Sequence, residues 1–464
     1  MNLSANEASI IPLPGPHAAH ASGIGHDLIA RSFLVITALI FTLSSGLLWD
    51  LGINYSGITG AMASKIHPAT YLTVFAFTVL IVARRNPASF FVELVTRHPG
   101  RLAFLLATLI LGAYIVLDGR RGIATIFDTY LLAVMLALIA TELSERDFTR
   151  VEKLIHILLA ANAALALIEY LIDYRMFPFR FEGLAFEWDK RSTALLGHPL
   201  ENAQITGIYT MVLLAGGGAS MPKAARPWAI LLQLAALVPF GGRSALVLTI
   251  AMVGLWTIAR VIRFLRGQRV SLLAFAAVAA LGPMLILLLG LAAMTGFFDL
   301  LFERFVIDDG GSANSRLEMF GVLAQLSARD LLVGANSQFI DSMRNTTGLE
   351  WGIENPVVRL ILYQGVIFTT FLIAGFVLFF IEIARQLRPG ARMALVFFVI
   401  IINSYESISN KTLGLAQFVV LLLVMFHQPK LHHPANVRAR RGTIGGLGSI
   451  ENKRNVQSGD RLPA

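Results

Sequence analysis

Apolar runs of about 18 or more residues recur along the chain, and they restrict its fold more than any other feature of the sequence. The clearest run is uncharged from Val270 to Phe298. A run of this length crosses the hydrocarbon core of a bilayer as a helix, because a helix pairs its own backbone polar groups. With 56% hydrophobic residues, an ordinary soluble protein is excluded. The sequence predicts an all-α polytopic membrane protein.

Twelve membrane spans are predicted from these runs. They lie at 33–49, 69–83, 101–117, 124–143, 153–172, 201–217, 227–240, 244–264, 271–296, 355–382, 392–405 and 412–428. The second, seventh and eleventh are short, and we interpret them as tilted, re-entrant or differently paired. The predicted membrane domain therefore covers 33–428, between an N-terminal tail at 1–32 and a basic, disordered tail at 429–464.

Basic residues are distributed unevenly among the predicted loops. One set of alternate loops contains Arg84, Arg85, Arg97, Arg101, Arg146, Arg150, Lys153, Lys223, Arg226, Arg260, Arg263, Arg266, Arg269, Arg385, Arg388 and Arg392. The short loops between them hold only Lys65, Arg120, Arg121, Arg243 and Lys411. The positive-inside bias places the first set and both termini in the cytoplasm.

Composition excludes several kinds of function. The chain has no cysteine, which excludes disulfides, thiolate catalysis and cysteine-based metal sites. The net charge of +9 would suggest nucleic acid in a soluble protein, but here the basic residues flank membrane spans. Anionic membrane lipid is therefore the expected partner, and nucleic acid is not. No cleavable signal peptide is visible in the first thirty residues.

Two long loops are predicted to face outward. The loop at 173–200 is rich in aromatic residues between Tyr174 and Trp188, which are expected either to stack on sugars or to form an interfacial belt. The loop at 297–355, between the ninth and tenth spans, is the large soluble insert. Its Ser315-Arg-Leu-Glu318 matches a capping box and predicts a helix from about Arg316 to Leu326.

Arg191, Arg243 and Arg316 stand where an outer loop meets a span or a helix. Arginine suits a diphosphate because its planar fork donates hydrogen bonds in pairs and stays charged. Each arginine also has a simpler interpretation. Arg243 can extend to the membrane interface, Arg316 can decorate an exposed helix start, and Arg191 can belong to a solvated charge run with its neighbours.

Three further residues are candidates for the same chemistry. Glu354 precedes the tenth span, where a half-buried carboxylate could take a proton from a sugar hydroxyl or could cap the helix beginning at Pro356. Arg359 lies one turn further and could pair with Glu354 or meet the substrate. His198, in Gly-His-Pro, is a substrate-binding candidate, although a lone histidine is more often structural.

Other polar segments carry weaker signals. Tyr405-Glu406 and Asn410-Lys411 could line a cavity, but a solvated turn is the preferred interpretation. No spacing of histidines or paired carboxylates predicts a metal site near the outer face, and no cofactor is expected.

The motifs between Arg191 and Phe380 resemble those of the O-antigen ligase and Wzy-type polysaccharide polymerase superfamily. In chain order they are Arg191 to Pro199, Gly-Arg-Ser-Ala at 242–245, Ser-Arg at 315–316 with Leu-Val-Gly at 332–334, and Glu-Asn at 354–355 before Tyr-Gln-Gly at 363–365. Where the ligases carry a histidine, this chain has Glu354. In this respect it resembles exopolysaccharide polymerases of the VpsF-like kind more than ligases.

The resemblance implies a metal-independent membrane glycosyltransferase with a GT-C-like fold in the bacterial inner membrane. Its substrate would be a glycan on undecaprenyl diphosphate, polymerised or ligated during synthesis of a surface polysaccharide. Arg243 and Arg316 would stabilise the leaving diphosphate, Glu354 would activate the acceptor hydroxyl, and Arg191, His198 and Arg359 would bind substrate. Chain-length regulators and export proteins would be further partners.

A flippase or polysaccharide exporter is the alternative. Twelve spans with both termini inside would suit a transporter equally well. The absence of an internal repeat and the nearly charge-free spans favour the enzyme.

Overall fold

The computed structural model describes residues 23–57, 59–181, 183–186, 189–267, 290, 293–294, 312–347, 349, 352–353, 355–404 and 408–428. The helices are α1 Gly23–Thr42, α2 Ser45–Asp50, α3 Pro68–Val82, α4 Pro87–Thr96, α5 Pro99–Leu117, α6 Ile123–Ala140, α7 Glu145–Ile172, α8 Pro199–Leu214, α9 Ala225–Phe240, α10 Arg243–Leu265, α11 Ser312–Ala324, α12 Ala328–Val333, α13 Ser337–Thr346, α14 Pro356–Gln386, α15 Ala391–Ile401 and α16 Gly414–Met425. A two-stranded antiparallel hairpin joins β1 Arg180–Phe181 to β2 Leu184–Ala185.

Helix starts follow signals that are visible in the sequence. Proline opens α3, α4, α5, α8 and α14, at the position where its missing N–H costs no hydrogen bond. Ser144 and Asp147 form a capping box at the start of α7. Asn355 caps α14, and its side-chain oxygen accepts hydrogen bonds from the backbone N–H groups of Val357 (3.0 Å) and Val358 (3.1 Å).

Six of the helices are long and apolar enough to cross a membrane. They are Gly25–Thr42 of α1, α5, α6, α7, α10 and α14, and the pair α3–α4, bent by 114°, would make a seventh. Shorter apolar helices at Ala225–Phe240, Ala391–Ser404 and Gly414–Met425 lie at other predicted spans, and the ninth predicted span lies almost wholly outside the described residues. The chain is therefore a helical membrane protein, and the total of twelve spans stays a prediction.

Burial divides the helices between the centre and the edge of the bundle. Every residue of α16 is buried, so this helix lies in the core, and its surface is apolar apart from Gln417. In contrast, only 17% of the most apolar stretch of α10 is buried. Leu255 and Ile258 are exposed on this helix, as expected for a helix facing lipid. Gly375 of α14 lies against α5, where an added Cβ would stand 3.0 Å from the Ala103 oxygen. This close approach packs α5 and α14 along each other.

The connections between helices meet at two ends of the bundle. At one, which we call the cavity end, the Ser56 hydroxyl donates to the Arg180 oxygen (2.6 Å) and the Thr412 hydroxyl to Glu201 (2.6 Å). At the opposite end, Arg84 pairs with Glu142 (2.6 Å). The loops at the cavity end are those predicted to face outward. Which end faces the cytoplasm is an inference from charge and stays a prediction.

Several predicted boundaries differ from the structure; α7, for example, begins at Glu145 rather than 153. Helix α1 begins at Gly23 rather than 33, because Asp27 and Arg31 pair one turn apart (2.6 Å) and make its polar first turns compatible with a helix. Helix α11 begins at Ser312, so Ser315 lies inside the helix and is not its N-cap. The predicted helix exists, and it begins before the predicted N-cap.

Candidate functional site

A cavity of about 220 Å³ opens at the cavity end. It lies where α5, α6, α13 and α14 meet the turn before α16. The polar residues in its wall are Arg121, Thr125, Tyr130, Ser337, Asp341, Arg344, Arg359, Tyr363, Gln364, Ser409 and Asn410. Three of these side chains are guanidinium groups, on the α5–α6 loop, on α13 and on α14.

Arg359 enters the cavity from the first turns of α14. Asn355 fixes the start of this helix, and Arg359 follows one turn later, on the face that also carries Tyr363. The Arg359 guanidinium lies 5.5 Å from the centre of the Tyr363 ring. The helix cap and the ring together set the position of this positive charge.

Tyr363 also connects α14 to α13. Its hydroxyl donates to Asp341 Oδ1 (2.6 Å) and accepts from Arg344 Nη1 (3.2 Å), while Arg344 lies 3.7 Å from the Asp341 carboxylate. Asp341 and Arg344 are three residues apart on α13 and therefore share one face of that helix. Hydrogen bonds to charged groups are shorter and stronger than neutral ones, so this trio fixes α13 against α14.

Arg121 completes the wall from the short loop between α5 and α6. It is exposed, and within the described part of the chain it makes no ion pair. The neighbouring Arg120 takes Asp118 as its partner (2.5 Å). Among the described residues that line the cavity, Asp341 is the one acidic residue against three arginines, so this part of the wall has an excess of positive charge and suits an anion.

The described residues include no group of three or more histidine, aspartate or glutamate side chains placed to hold a metal ion. The donors that the cavity presents are guanidinium, hydroxyl and amide groups. This set suits phosphate or carboxylate oxygens, which accept hydrogen bonds.

A second polar group, which the cavity does not include, surrounds Arg191. Its guanidinium binds Asp189 through two nitrogens (Nε to Oδ1, 2.7 Å; Nη2 to Oδ2, 2.5 Å). The Arg191 side chain lies against Gly241, and the Ser192 N–H donates to the Pro239 oxygen (2.9 Å). The loop before α8 is thereby attached to the turn between α9 and α10, where Arg243 is the first residue of α10.

His198 lies in the same group, directly before α8. Phe179 meets its ring edge-on at 4.9 Å, and its buried Nδ1 finds no hydrogen-bond partner among the described residues. Burial, followed by the nearby Arg191 guanidinium, lowers the pKa of His198 to about 4. The ring is therefore neutral at pH 7, which suits packing better than proton transfer.

A buried glutamate holds this loop. Glu169 of α7 is 1% exposed, and its Oε2 accepts from the hydroxyl of Ser192 and from the N–H groups of Thr193 (3.0 Å) and Ala194 (2.9 Å). Ala194 has a φ of 37°, a left-handed conformation that disfavours any residue but glycine. Strain of this kind persists only where the surroundings impose it, and here Glu169 does so.

In the turn before α16, Lys411 departs from the solvated turn that was the preferred interpretation, whereas Asn410 is exposed. Lys411 donates to the Tyr55 carbonyl oxygen, and its ammonium lies 3.8 Å from the centre of the Tyr55 ring. Burial lowers the pKa of Lys411 to about 8. The neighbouring Asn410 lines the cavity, as the alternative interpretation allowed, whereas Tyr405 and Glu406 lie outside the described residues.

The structure thus separates the predicted site residues. Arg359 lies in the cavity, Arg191 and His198 belong to the second group, and Arg243 begins α10 directly after the turn that this group touches. Glu354 lies outside the described residues; the cap that it was expected to provide as an alternative role is made by Asn355. Arg316 lies in α11, where the structure describes its backbone but not its side chain.

Sequence reasoning did not select Arg121, Arg344, Asp341 or Tyr363 as site residues. One signal was available: Arg120 and Arg121 are adjacent arginines in a short loop on the side that is otherwise poor in basic residues. Charge placed against that bias indicates a specific partner. Nothing comparable marked Asp341, whose role depends on contacts between distant segments.

Comparisons with protein-family models, with curated proteins and with solved structures gave no match to this chain.

Proposed function

We propose that this protein transfers a glycan from undecaprenyl diphosphate to a hydroxyl of a second glycan, as a polymerase or ligase of the polysaccharide superfamily that its motifs resemble. One observation supports this most strongly. Arg121, Arg344 and Arg359, from three separate segments, converge on one cavity at the end of a membrane helix bundle.

Positive charge in this place suits a lipid-linked diphosphate. The lipid would remain beside the helices while the diphosphate reaches the helix ends, where guanidinium forks can bind its oxygens in pairs. The cavity, at about 220 Å³, is smaller than the roughly 300–1,000 Å³ of sites for drug-sized ligands. It would hold the diphosphate and the adjoining sugar rather than a whole repeat.

The reaction leaves negative charge on the diphosphate as the glycosidic bond breaks. Guanidinium groups already aimed at that position stabilise the developing charge without rearrangement, which is the main electrostatic contribution to catalysis. We assign this role to Arg344 and Arg359, with Arg121 at the exposed side. Arg191 and Arg243, which lie outside the cavity wall, are proposed as contacts for the second substrate, and Arg316 keeps its proposed role beside the diphosphate.

The acceptor hydroxyl must lose a proton, and two carboxylates are candidates for the base. Glu354 directly precedes the cap of α14 and occupies the motif position of the ligase histidine. Asp341 lines the cavity and shares a hydrogen bond with Tyr363 (2.6 Å). General-base assistance contributes about 10²–10⁴ in rate, so the loss of the true base is easily measured.

The test uses purified protein with an undecaprenyl-diphosphate-linked repeat. Arg344→Ala and Arg359→Ala should reduce polymer formation about 100-fold, and lysine at either position should restore little, because it lacks the bidentate fork. Arg97→Ala is the matched control, since Arg97 forms an exposed pair with Glu93 one turn away at the opposite end. Polymer of normal length and yield from both cavity variants would contradict the proposal.

The same assay separates the two bases and the transporter alternative. Glu354→Gln and Asp341→Asn remove one proton acceptor each, and only the variant that lacks the base should fall to traces of polymer. A flippase or exporter would instead move the lipid-linked repeat across vesicle membranes without lengthening it. Transport of the lipid-linked repeat without polymer formation would contradict the proposed glycosyltransferase and support the transporter.

A further inference from the structure

The segment 328–347, which contains α12 and α13 and which we call the lid, forms one wall of the cavity through Ser337, Asp341 and Arg344. Its chain is held between the two helices at three successive carbonyl groups. The Tyr114 hydroxyl donates to the Val333 oxygen, and Arg120 donates to the oxygens of Gly334 (Nη2, 3.0 Å) and Ala335 (Nη1, 3.0 Å). All three donors come from the cavity end of α5 or the residues just after it.

The same guanidinium reaches the other wall. Arg120 Nη1 also donates to the backbone oxygen of Tyr363 in α14 (2.8 Å). The side-chain hydroxyl of the same Tyr363 binds Asp341 and Arg344. Helix α14 is broken just beyond, at Gly365 (φ 79°), and the lid packs into this break. An added Cβ at Gly334 (φ 87°) would stand 2.6 Å from the Tyr363 oxygen, so only glycine allows the approach.

Arg120 is committed to these contacts. Its Nε binds Asp118 (2.5 Å), its guanidinium lies 4.9 Å from the centre of the Tyr114 ring, and its side chain is 12% exposed. Arg121 beside it is exposed and lines the cavity. Two adjacent arginines of the same loop are therefore placed for different tasks.

We propose that Arg120 is a positioning residue, a latch that holds the lid against the break in α14 and thereby sets the spacing of the cavity's guanidinium groups. Arg121 is free to contact the anion. The latch stands on geometry alone; its use in closing the cavity around a diphosphate rests on the proposed function. An anion that contacts Arg344 on the lid and also Arg121 or Arg359 on the neighbouring segments binds more tightly when the lid is closed than when it is open. Anion binding and lid closure therefore favour each other.

The absence of cysteine from the chain makes the latch measurable. Ala335 is 1% exposed, so Ala335→Cys should react with a maleimide in detergent solution only when the lid lifts. Arg120→Ala, added to Ala335→Cys, should raise the labelling rate at least tenfold. This corresponds to a loss of about 1.4 kcal/mol from the free energy of lid closure. Arg120→Lys should give a smaller rise, because one ammonium cannot reach the carbonyl oxygens of Gly334, Ala335 and Tyr363 together. Arg121→Ala should leave the rate unchanged.

Ala133→Cys, in the 0% exposed core of α6, reports on the bundle as a whole. This cysteine should stay unlabelled when Ala133→Cys is combined with Arg120→Ala. Labelling there would mean that Arg120 supports the entire fold, and would overturn the latch. An unchanged rate at Ala335→Cys beside Arg120→Ala would overturn it equally.

Inorganic pyrophosphate tests the use of the latch separately. It should slow labelling of Ala335→Cys when both arginines are present, and this protection should disappear with Arg121→Ala. A lack of protection, with the Arg120→Ala rise intact, would contradict the proposed diphosphate site and still support the latch. Protection without that rise would support the anion site and exclude the latch.

Discussion

The buried Glu169 allows a prediction that can be worked out from individual bonds. One oxygen of its carboxylate accepts from Ser192, Thr193 and Ala194, and the other accepts from the N–H of Met176 (2.9 Å). The perturbation is Glu169→Gln, which keeps the shape of the side chain. It removes the charge and converts one acceptor atom into a donor.

The amide oxygen of glutamine can replace only one of the two carboxylate oxygens. If it takes the place with three donors, the NH₂ group faces the Met176 N–H, and that bond is lost. A hydrogen bond to a charged acceptor contributes about 1.5–3 kcal/mol and one to a neutral acceptor about 0.5–1.5, so each remaining bond weakens by about 1 kcal/mol. Together with the lost Met176 bond the loss is about 5 kcal/mol, and the relief of a buried charge offsets about 3 kcal/mol of it. The net cost to the loop is about 2 kcal/mol, a roughly 30-fold shift toward the open loop.

Limited proteolysis measures this opening directly. Trypsin cleaves after Lys190 and Arg191 when the loop detaches, and mass spectrometry quantifies each cut. Under conditions where the loop closes faster than it is cut, the cleavage rate follows the open population and should rise about 30-fold in Glu169→Gln. Glu142→Gln serves as the control, because it alters a glutamate–arginine pair at the opposite end. Cleavage of Glu169→Gln at the rate of the unaltered protein would refute the argument.

Three further outcomes are expected. Asn355→Ala should lower the free energy of unfolding by about 1 kcal/mol, because the cap of α14 is lost; chemical denaturation in detergent checks this, and Asn355→Asp should retain stability. The pKa of His198 is lowered to about 4 in the folded protein and returns to about 6.5 on unfolding, so the unfolded chain binds the extra proton between these values and stability falls as pH falls from about 6.5 to 4. His198→Gln should flatten that part of the pH profile, and an unchanged profile would show that His198 is not responsible. On intact cells, an impermeant maleimide should label Ser409→Cys and not Ser220→Cys, and the reverse pattern would invert the assigned orientation.

The sequence by itself determined the helical membrane class and the starts of the helices that open with proline. Long apolar runs leave a helix as the only way to satisfy the backbone in lipid, so the membrane class follows from composition and run length. Proline at 68, 87, 99, 199 and 356 marks the first turn wherever it precedes an apolar run, because its missing N–H is harmless only there. The grouping of loops into two sets by charge also agrees with the two ends of the bundle, since alternate loops of a bundle must lie at alternate ends.

Tertiary structure alone decided which polar residues meet. The cavity joins Arg121 to Arg344 and Arg359, which follow it by more than two hundred positions, and no periodicity relates them. Adjacent arginines diverge for the same reason: Arg120 faces the carbonyl groups of the lid, whereas Arg121 faces the cavity. Local sequence determines where a helix begins. The partner of a charged side chain depends instead on which distant backbone packs against it. The site therefore had to be read from the packing of α5, the lid and α14.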